Sequence, residues 1–331
     1  MSKIALVGFG YWGKNHFKTL KKLKDEGIIE KITVCDLNKN ALRNLEKEDE
    51  IEICYDWKKL LTSDIDLVSI VSPTPLHYEM AKEFMLRGKD VLVEKPLAMN
   101  ANECDELIEI SEKAGSGLMV GHIFRFHPGV VELRNMIRKG DFGNILNIFI
   151  RRQTLRVPRK DMGVLLALGI HEVDIACFLL NEELPETIYA DINSYFGNAE
   201  EMALIIQKFK NTTAYFYESW IDPSKGKFRE LTLIGTNGTA SLNFSEPDRI
   251  TIHQSYLERK QEENFSVVNG GDFIVRLEYS EPLYNELKHF IEESNNKKNY
   301  HSNGYVGKRA VELIEKALLS NKQQTFIEVK N

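Results

Sequence analysis

The sequence predicts an α/β chain in two parts, a parallel sheet followed by an open, mostly antiparallel sheet. Three observations carry this. Up to about residue 122, short apolar runs alternate with amphipathic stretches, the pattern of βαβ units. A glycine-rich run, Gly8-Phe9-Gly10-Tyr11-Trp12-Gly13, joins the first strand-like segment to the first helix-like one. From Ile188 to His253 the helical spacing gives way to consecutive strand-like runs parted by turns.

In the first part the expected strands are Ile4–Val7, Ile32–Cys35, Leu67–Val71, Val91–Val93 and Leu118–Val120. They are short, apolar and bounded by Gly, Asp or Pro, which suits a sheet covered on both faces. Helices are expected at Trp12–Lys24, Lys39–Glu48, Leu76–Leu86 and Ala101–Ala114. After Pro128 come a helix at Val130–Arg138, a strand at Ile145–Leu155 and an apolar helical stretch, Gly163–Leu180. The consecutive strands are Ile188–Tyr195, Ala203–Phe209, Thr213–Trp220, Glu230–Ile234, Thr239–Phe244 and Arg249–His253. Ser255–Leu277 has no clear period and is expected to be a long loop or irregular edge. Two helices, 282–294 and 305–320, close the chain. The expected division is 1–122 for the first domain and 123–331 for the second.

A chain of 331 residues exceeds what one core usually organises, so two domains are natural. The composition, 43% hydrophobic and 28% charged, is that of a globular protein. A net charge of −6 argues against a nucleic-acid partner, which needs a basic face. No apolar run approaches the roughly 20 residues of a membrane span, and no basic segment followed by an apolar one marks a signal peptide. Cys35, Cys54, Cys104 and Cys177 form no C-x-x-C pair, so neither a metal site nor a disulfide framework is expected. A cytoplasmic location follows as an expectation.

The glycine run has the context of a dinucleotide-binding, Rossmann fingerprint: it follows a strand, opens a helix, and Asp36 ends the next strand 23 positions after Gly13. Gly8 permits the tight turn, Gly10 lets backbone approach a pyrophosphate, and Gly13 lets helix and strand pack closely. The helix N-terminus supplies N–H groups and a positive dipole end. Asp36 is suited to the adenosine ribose hydroxyls and repels a 2′-phosphate, which favours NAD over NADP. The competing explanation is a glycine-rich turn with an Asp capping a helix.

Further motifs follow: Ser72-Pro73-Thr74 with His77, Glu94-Lys95-Pro96, and Gly169-Ile170-His171-Glu172-Val173-Asp174. With the glycine fingerprint, and in this order, they make the chain resemble the Gfo/Idh/MocA oxidoreductases over nearly its whole length. Stretches such as Gly10-Tyr11-Trp12-Gly13-Lys14-Asn15, 157–164 and 229–236 are similar to a branch acting on nucleotide sugars, the UDP-N-acetylglucosamine 3-dehydrogenases. The resemblance implies cofactor contacts from Gly8, Gly10, Tyr11, Trp12, Gly13, Asp36, Ser72, Thr74, His77, Glu94 and Lys95. It implies a catalytic Lys95 that touches both the hydroxyl and the cofactor, beside a Pro96 matching a position that is cis in relatives. It also implies His171 as the proton acceptor and a dimer or tetramer paired through the open sheet.

On the residues alone, Lys95 could be a solvated turn lysine and His171 a bonded core histidine. A 3.6-residue period puts Ala167, His171 and Asp174 on one stripe, so Asp174 could orient the ring. Many relatives carry an aspartate where this chain has Ala167. That departure keeps weak turnover, or binding without catalysis, as alternatives. Arg151, Arg152, Arg156, Arg159 and Lys160 form a basic cluster. It is either a solvated strand edge or, through Arg156 and Arg159, a clamp for a sugar-nucleotide diphosphate. His122 and His127 are read as linker residues. The expected activity is NAD-dependent oxidation of a sugar hydroxyl, the 3-OH of a UDP-N-acetyl-hexosamine type. The alternatives are an NAD-dependent glycosidase of the same fold and a non-catalytic NAD- or sugar-sensing regulator.

Overall fold

The computed structural model describes every residue except 1, 46–49, 160–161, 198, 262–263, 297–298 and 330–331. The chain divides into two compact units, Met1–Phe126 with Glu281–Glu312, and His127–Ser280 with Leu313–Asn331.

The first unit runs β1 (Ser2–Val7), α1 (Tyr11–Asp25), β2 (Ile29–Cys35), α2 (Lys39–Leu42), β3 (Ile51–Cys54), β4 (Leu67–Ile70), α3 (His77–Met85), β5 (Asp90–Glu94), α4 (Ala101–Ala114) and β6 (Leu118–Gly121). Its six strands are all parallel, in the order β3-β2-β1-β4-β5-β6. The order reverses direction between β1 and β4, and open α/β sheets bind ligands at that switch point. All of β4 and β5 is buried, as expected of strands covered on both faces. Helix α4 falls where the sequence puts it. The Asn100 side chain accepts from the Glu103 N–H at its start, and Gly115 at φ +66° closes it.

Two local expectations need correction. Ile51-Glu52-Ile53-Cys54 is a strand that the sequence pattern hides, because four residues hold only two alternations. The helix expected at Lys39–Glu48 continues only to Leu42, and its last residues from 46 onward lie outside those described.

The second unit begins with α5 (Pro128–Lys139), β7 (Ile145–Gln153), a π-helical turn at Leu165–Gly169 and α6 (Ile170–Leu179). Strands β8 (Thr187–Asn193), β9 (Met202–Lys208), β10 (Thr213–Ser219), β11 (Phe228–Gly235), β12 (Gly238–Asn243), β13 (Arg249–Gln261) and β14 (Asn264–Arg276) follow. With the two-residue β15 (Ile327–Glu328) they form one sheet, ordered β14-β13-β12-β11-β7-β10-β9-β8-β15. Only the β7–β10 pair is parallel. Alternation sorts its faces. Ala214, Phe216 and Trp220 are in the core, whereas Tyr215 and Tyr217 are half-exposed, and Tyr215 stacks on Phe149 at 4.8 Å. The expected loop at Ser255–Leu277 is instead the long β13–β14 hairpin. Its exposed residues include Leu257, Phe265 and Val267, and a strand with no buried face shows no period-2 signal.

The last two helices are α7 (Pro282–Ser294) and α8 (Gly304–Gln323), and the division between units falls within α8. Helix α7 buries Leu283, Leu287, Phe290 and Ile291 in one cluster with Phe17, Leu20 and Leu23 of α1. The first unit therefore includes a segment that the sequence assigns to the second. Its apolar face is legible, but periodicity does not say which core receives it. Phe290→Ala would cost this unit about 3–5 kcal/mol.

Candidate functional site

The glycine loop sits at the C-terminal edge of the parallel sheet. Gly8 has φ +103°, and a Cβ there would lie 2.6 Å from the Val71 carbonyl oxygen. A Cβ on Gly13 would lie 2.1 Å from the Gly8 carbonyl oxygen, so α1 can approach β1 only through glycine. Gly10 differs: a Cβ there would meet no protein atom within 4 Å. That opening lies at the N-terminus of α1, which has no side-chain cap and no acidic residue in its first turn. Unsatisfied N–H groups facing open space fit an anion such as a pyrophosphate.

Asp36 is fixed from both sides. One carboxylate oxygen accepts from the Phe9 N–H at 2.6 Å, the other from the Asn38 N–H at 2.8 Å. Each oxygen keeps lone-pair capacity for a ribose hydroxyl. The neighbouring Leu37 is exposed and carries no charge. Tyr11 is also exposed, and Trp12 is partly buried.

At the end of β5 the Glu94 carboxylate turns inward. Oε1 accepts from the Trp12 indole N–H at 2.6 Å and faces His16 Nε2 at 3.0 Å, while Oε2 accepts from the Lys95 N–H at 3.2 Å. Burial pushes Glu94 up. The His16 and Trp12 bonds and the Lys95 charge outweigh that and hold it below the usual carboxylate range. His16 also meets the Ser69 hydroxyl at 3.0 Å, so one buried network ties α1, β4 and β5 together. Sequence reasoning missed His16; its only signal is its place one turn after Trp12 on the inner face of α1. Lys95 itself is half-buried, and the Lys95–Pro96 peptide is cis. Ser72 and Thr74 are half-buried on the loop after β4.

His77 lies between two carbonyl oxygens, of Pro96 at 2.8 Å from Nδ1 and of Ser72 at 2.9 Å from Nε2. Burial lowers its pKa, so the neutral ring donates to one of them. The ring fastens the Ser72 loop to the Glu94-Lys95-Pro96 loop. Its nitrogens therefore face these loops, whereas the sequence expectation was a cofactor contact.

In the second unit, the π-helical turn leads directly into His171. The Ile170 N–H donates to the Leu165 carbonyl, five residues back, and π-turns recur at functional sites. The wider winding ends at Gly169, so Ala167 and His171, four residues apart, stay on one face, and His171 and Asp174 lie together in the α-helix that follows. Helix α6 is buried on all sides, with His171 at 8%, Glu172 at 0% and Asp174 at 2% exposure, so it has no single apolar stripe.

The basic cluster does not stay together. Arg152 is buried and paired with Glu172, and its guanidinium lies 5.5 Å over the Phe244 ring. Arg151 pairs with Glu230 on the adjacent strand at 2.8 Å. Lys160 lies outside the described residues. Arg156 and Arg159 are exposed, Arg156 with its guanidinium 5.3 Å over Trp220. His127 is a helix cap: its Nδ1 accepts from the Gly129 N–H at 3.1 Å. Burial and the Arg152 charge lower its pKa to about 4. Among the described residues no group of three or more His, Cys, Asp or Glu could hold a metal ion, and no helix is long and apolar enough to cross a membrane.

Comparison with known proteins matches the chain to two family models. Residues 2–122 match a family model described as "Oxidoreductase family, NAD-binding Rossmann fold", and 130–241 match "GFO/IDH/MocA C-terminal domain". A myo-inositol 2-dehydrogenase of Thermotoga maritima is 28% identical over 222 residues, 63% of this chain and 65% of the relative. Two solved structures share the fold. UDP-N-acetylglucosamine 3-dehydrogenase GnnA from Acidithiobacillus ferrooxidans has TM-score 0.82 at 22% identity over 97% of each chain. The WlbA dehydrogenase from Bordetella pertussis, solved with NADH and UDP-GlcNAcA, has TM-score 0.81 at 18% identity over 100% of this chain and 99% of that one.

Proposed function

Because this chain belongs to the Gfo/Idh/MocA family of NAD-binding oxidoreductases, we propose that it oxidises a secondary hydroxyl of a sugar, the 3-OH of a UDP-N-acetyl-hexosamine type. The observation that carries the cofactor half is the open position at Gly10, where a Cβ would meet nothing and the first N–H groups of α1 are uncapped. Asp36, held by Phe9 and Asn38, presents its negative charge where a 2′-phosphate would lie, which favours NAD over NADP. When bound, the nicotinamide supplies the acceptor for hydride.

The protein's own residues must bind the hydroxyl and take its proton. Lys95 polarises and positions the hydroxyl, its backbone N–H fixed by Glu94. His171 accepts the proton; Ala167 leaves it without the aspartate found in many relatives. Exposed Arg156 and Arg159 suit the diphosphate of a nucleotide sugar, because arginine forks match phosphate oxygens. The substrate class is supported by the likeness to the nucleotide-sugar dehydrogenases. The half-exposed sheet face bearing Phe149 and Tyr215 supports pairing of subunits as a dimer or tetramer.

The test is purified protein with NAD offered UDP-N-acetylglucosamine, its uronic acid, free inositols and simple hexoses, following NADH absorbance. A steady rise with a UDP-sugar is expected. NADH formed only with inositol or free hexose would move the substrate class. Bond cleavage without net NADH would indicate a glycosidase that recycles its cofactor.

A further inference from the structure

The four cysteines look scattered in the sequence, but the parallel sheet brings two together. Cys35 ends β2, Cys54 ends β3, and the two are in-register partners across the ladder. Adjacent strands lie about 4.7–4.9 Å apart, within the roughly 4.4–6.8 Å Cα separation that disulfides span. The side chains share one face, and the neighbouring Cys54 adds to burial in pushing the Cys35 thiol up. Cys54 is half-buried, its thiol donating to the Asp56 carbonyl at 3.1 Å, whereas Cys35 is buried.

The backbone of both residues holds the cofactor cradle. The Cys35 carbonyl accepts from the Gly8 N–H at 2.8 Å, and the Cys54 carbonyl accepts from the Asp36 N–H at 3.2 Å. A disulfide there would tie together the two strand ends whose carbonyls hold Gly8 and Asp36, so any shift of either end on oxidation is passed to the cradle.

We propose that Cys35 and Cys54 are a redox modification site, which a hydroperoxide oxidises to a disulfide that lowers the affinity of the cradle for its dinucleotide. The Cys54 sulfur, the less buried of the two, attacks the peroxide as thiolate. The O–O bond breaks, an alcohol or water leaves with the proton, and Cys54 becomes a sulfenic acid. Cys35 sulfur then attacks Cys54 sulfur, the S–O bond breaks, and the hydroxide leaves as water with the Cys35 proton. Two thiols lose two electrons, and the peroxide gains them. Burial pushes the Cys35 thiol up and keeps it from the first step, whereas in the second its place opposite Cys54 makes the attack intramolecular.

The proposal rests on the cofactor assignment above for its consequence but not for its chemistry, so the experiment reads both. The full chain is treated with hydrogen peroxide. Disulfides are mapped by mass spectrometry of non-reduced peptides, and NAD affinity is measured by calorimetry before treatment, after it, and after dithiothreitol. The expected result is a Cys35–Cys54 peptide and a Kd raised by at least about tenfold, the loss of one charge-assisted hydrogen bond, reversed by the reductant. Cys54→Ser, and Cys54→Ala should serine perturb the sheet, each show the same Kd for NAD before and after peroxide and yield no linked peptide. Absence of the linked peptide overturns the proposal. A linked protein with unchanged Kd overturns the switch and leaves the cradle standing. Reduced protein that binds no NAD overturns the cradle assignment and the switch with it.

Discussion

The two units hold their candidate site residues by different means. In the parallel-sheet unit the cradle is built from backbone: a positive φ at Gly8, a close approach at Gly13, and an uncapped helix start at Gly10. The acidic side chain beside it, Asp36, is fixed by two N–H groups, those of Phe9 and Asn38. In the mixed-sheet unit the helix that carries His171 and Asp174 is held to the sheet by buried charge. Arg152 on β7 meets Glu172 on α6, and both are almost fully enclosed. A backbone cradle leaves a short-range signature in sequence; a buried ion pair leaves none.

This contrast can be broken where it is strongest. Lys95→Ala should lower kcat by about 10²–10⁴-fold while NAD affinity stays within a few-fold, since the cradle does not depend on that side chain. Turnover from NADH absorbance and binding from calorimetry check the two halves. An unchanged kcat removes Lys95 from the chemistry. Next in size, Glu172→Gln strands the Arg152 charge and should cost the second unit about 3–5 kcal/mol, read from denaturant unfolding. The double variant Arg152→Leu with Glu172→Leu should recover most of that loss, because a buried pair replaced as a whole is often neutral. If the single and double variants are equally unstable, the pair is not what holds α6 to the sheet.

The same contrast explains how much could be read in advance. Gly8 and Gly13 were legible because each must be glycine at a fixed spacing, and the structure leaves no room for a Cβ at either; Gly10 and Asp36 lie beside them in the same loop and at the end of β2. Helix α4 was legible from its amphipathic spacing, and the structure adds the caps at Asn100 and Gly115. Helix α7 was legible as a helix but not as part of the first unit, because its partner α1 lies more than 250 residues away in sequence. The basic cluster misled. Arg151 and Arg152 alternate across a strand, so one faces Glu230 and the other the core, and only register decides which. The π-helical turn at Leu165–Gly169 was not legible, because no residue type in Leu165-Leu166-Ala167-Leu168-Gly169 marks a wider winding. The Cys35–Cys54 pair could not be seen at all without β3.

The next prediction concerns His127, which joins the two modes by capping α5 with a buried ring beside Arg152. Its pKa falls from an ordinary 6.5 to about 4 in the folded chain. The unfolded chain therefore binds the extra proton first as pH drops. Stability from this group is complete above about pH 6.5 and is lost progressively down to about pH 4, roughly 3 kcal/mol in all. His289 in the first unit is also lowered to about 4, by burial and His301, so it contributes over the same range. The difference between the parent and His127→Asn, which keeps a cap acceptor, isolates His127. Urea midpoints at pH 7 and pH 5 should lie closer together in the variant. Equal spacing would mean that the cap is solvated.

The smallest expected effect concerns the two arginines that remain exposed. Arg156→Ala or Arg159→Ala should raise the KM for a UDP-sugar about tenfold, the worth of one charged hydrogen bond to phosphate, with kcat little changed. Arg156 needs a second variant because its guanidinium also lies over Trp220. Arg156→Lys keeps the charge but loses the planar fork and weakens the ring contact. If phosphate recognition is bidentate, lysine should behave nearly as badly as alanine; if only the charge matters, lysine should restore most of the affinity. A KM that none of these variants moves would assign both arginines to the solvated edge of the second unit. Its substrate contacts would then have to come from elsewhere, and the contrast between a backbone-built cradle and a side-chain-built partner would stop at the core.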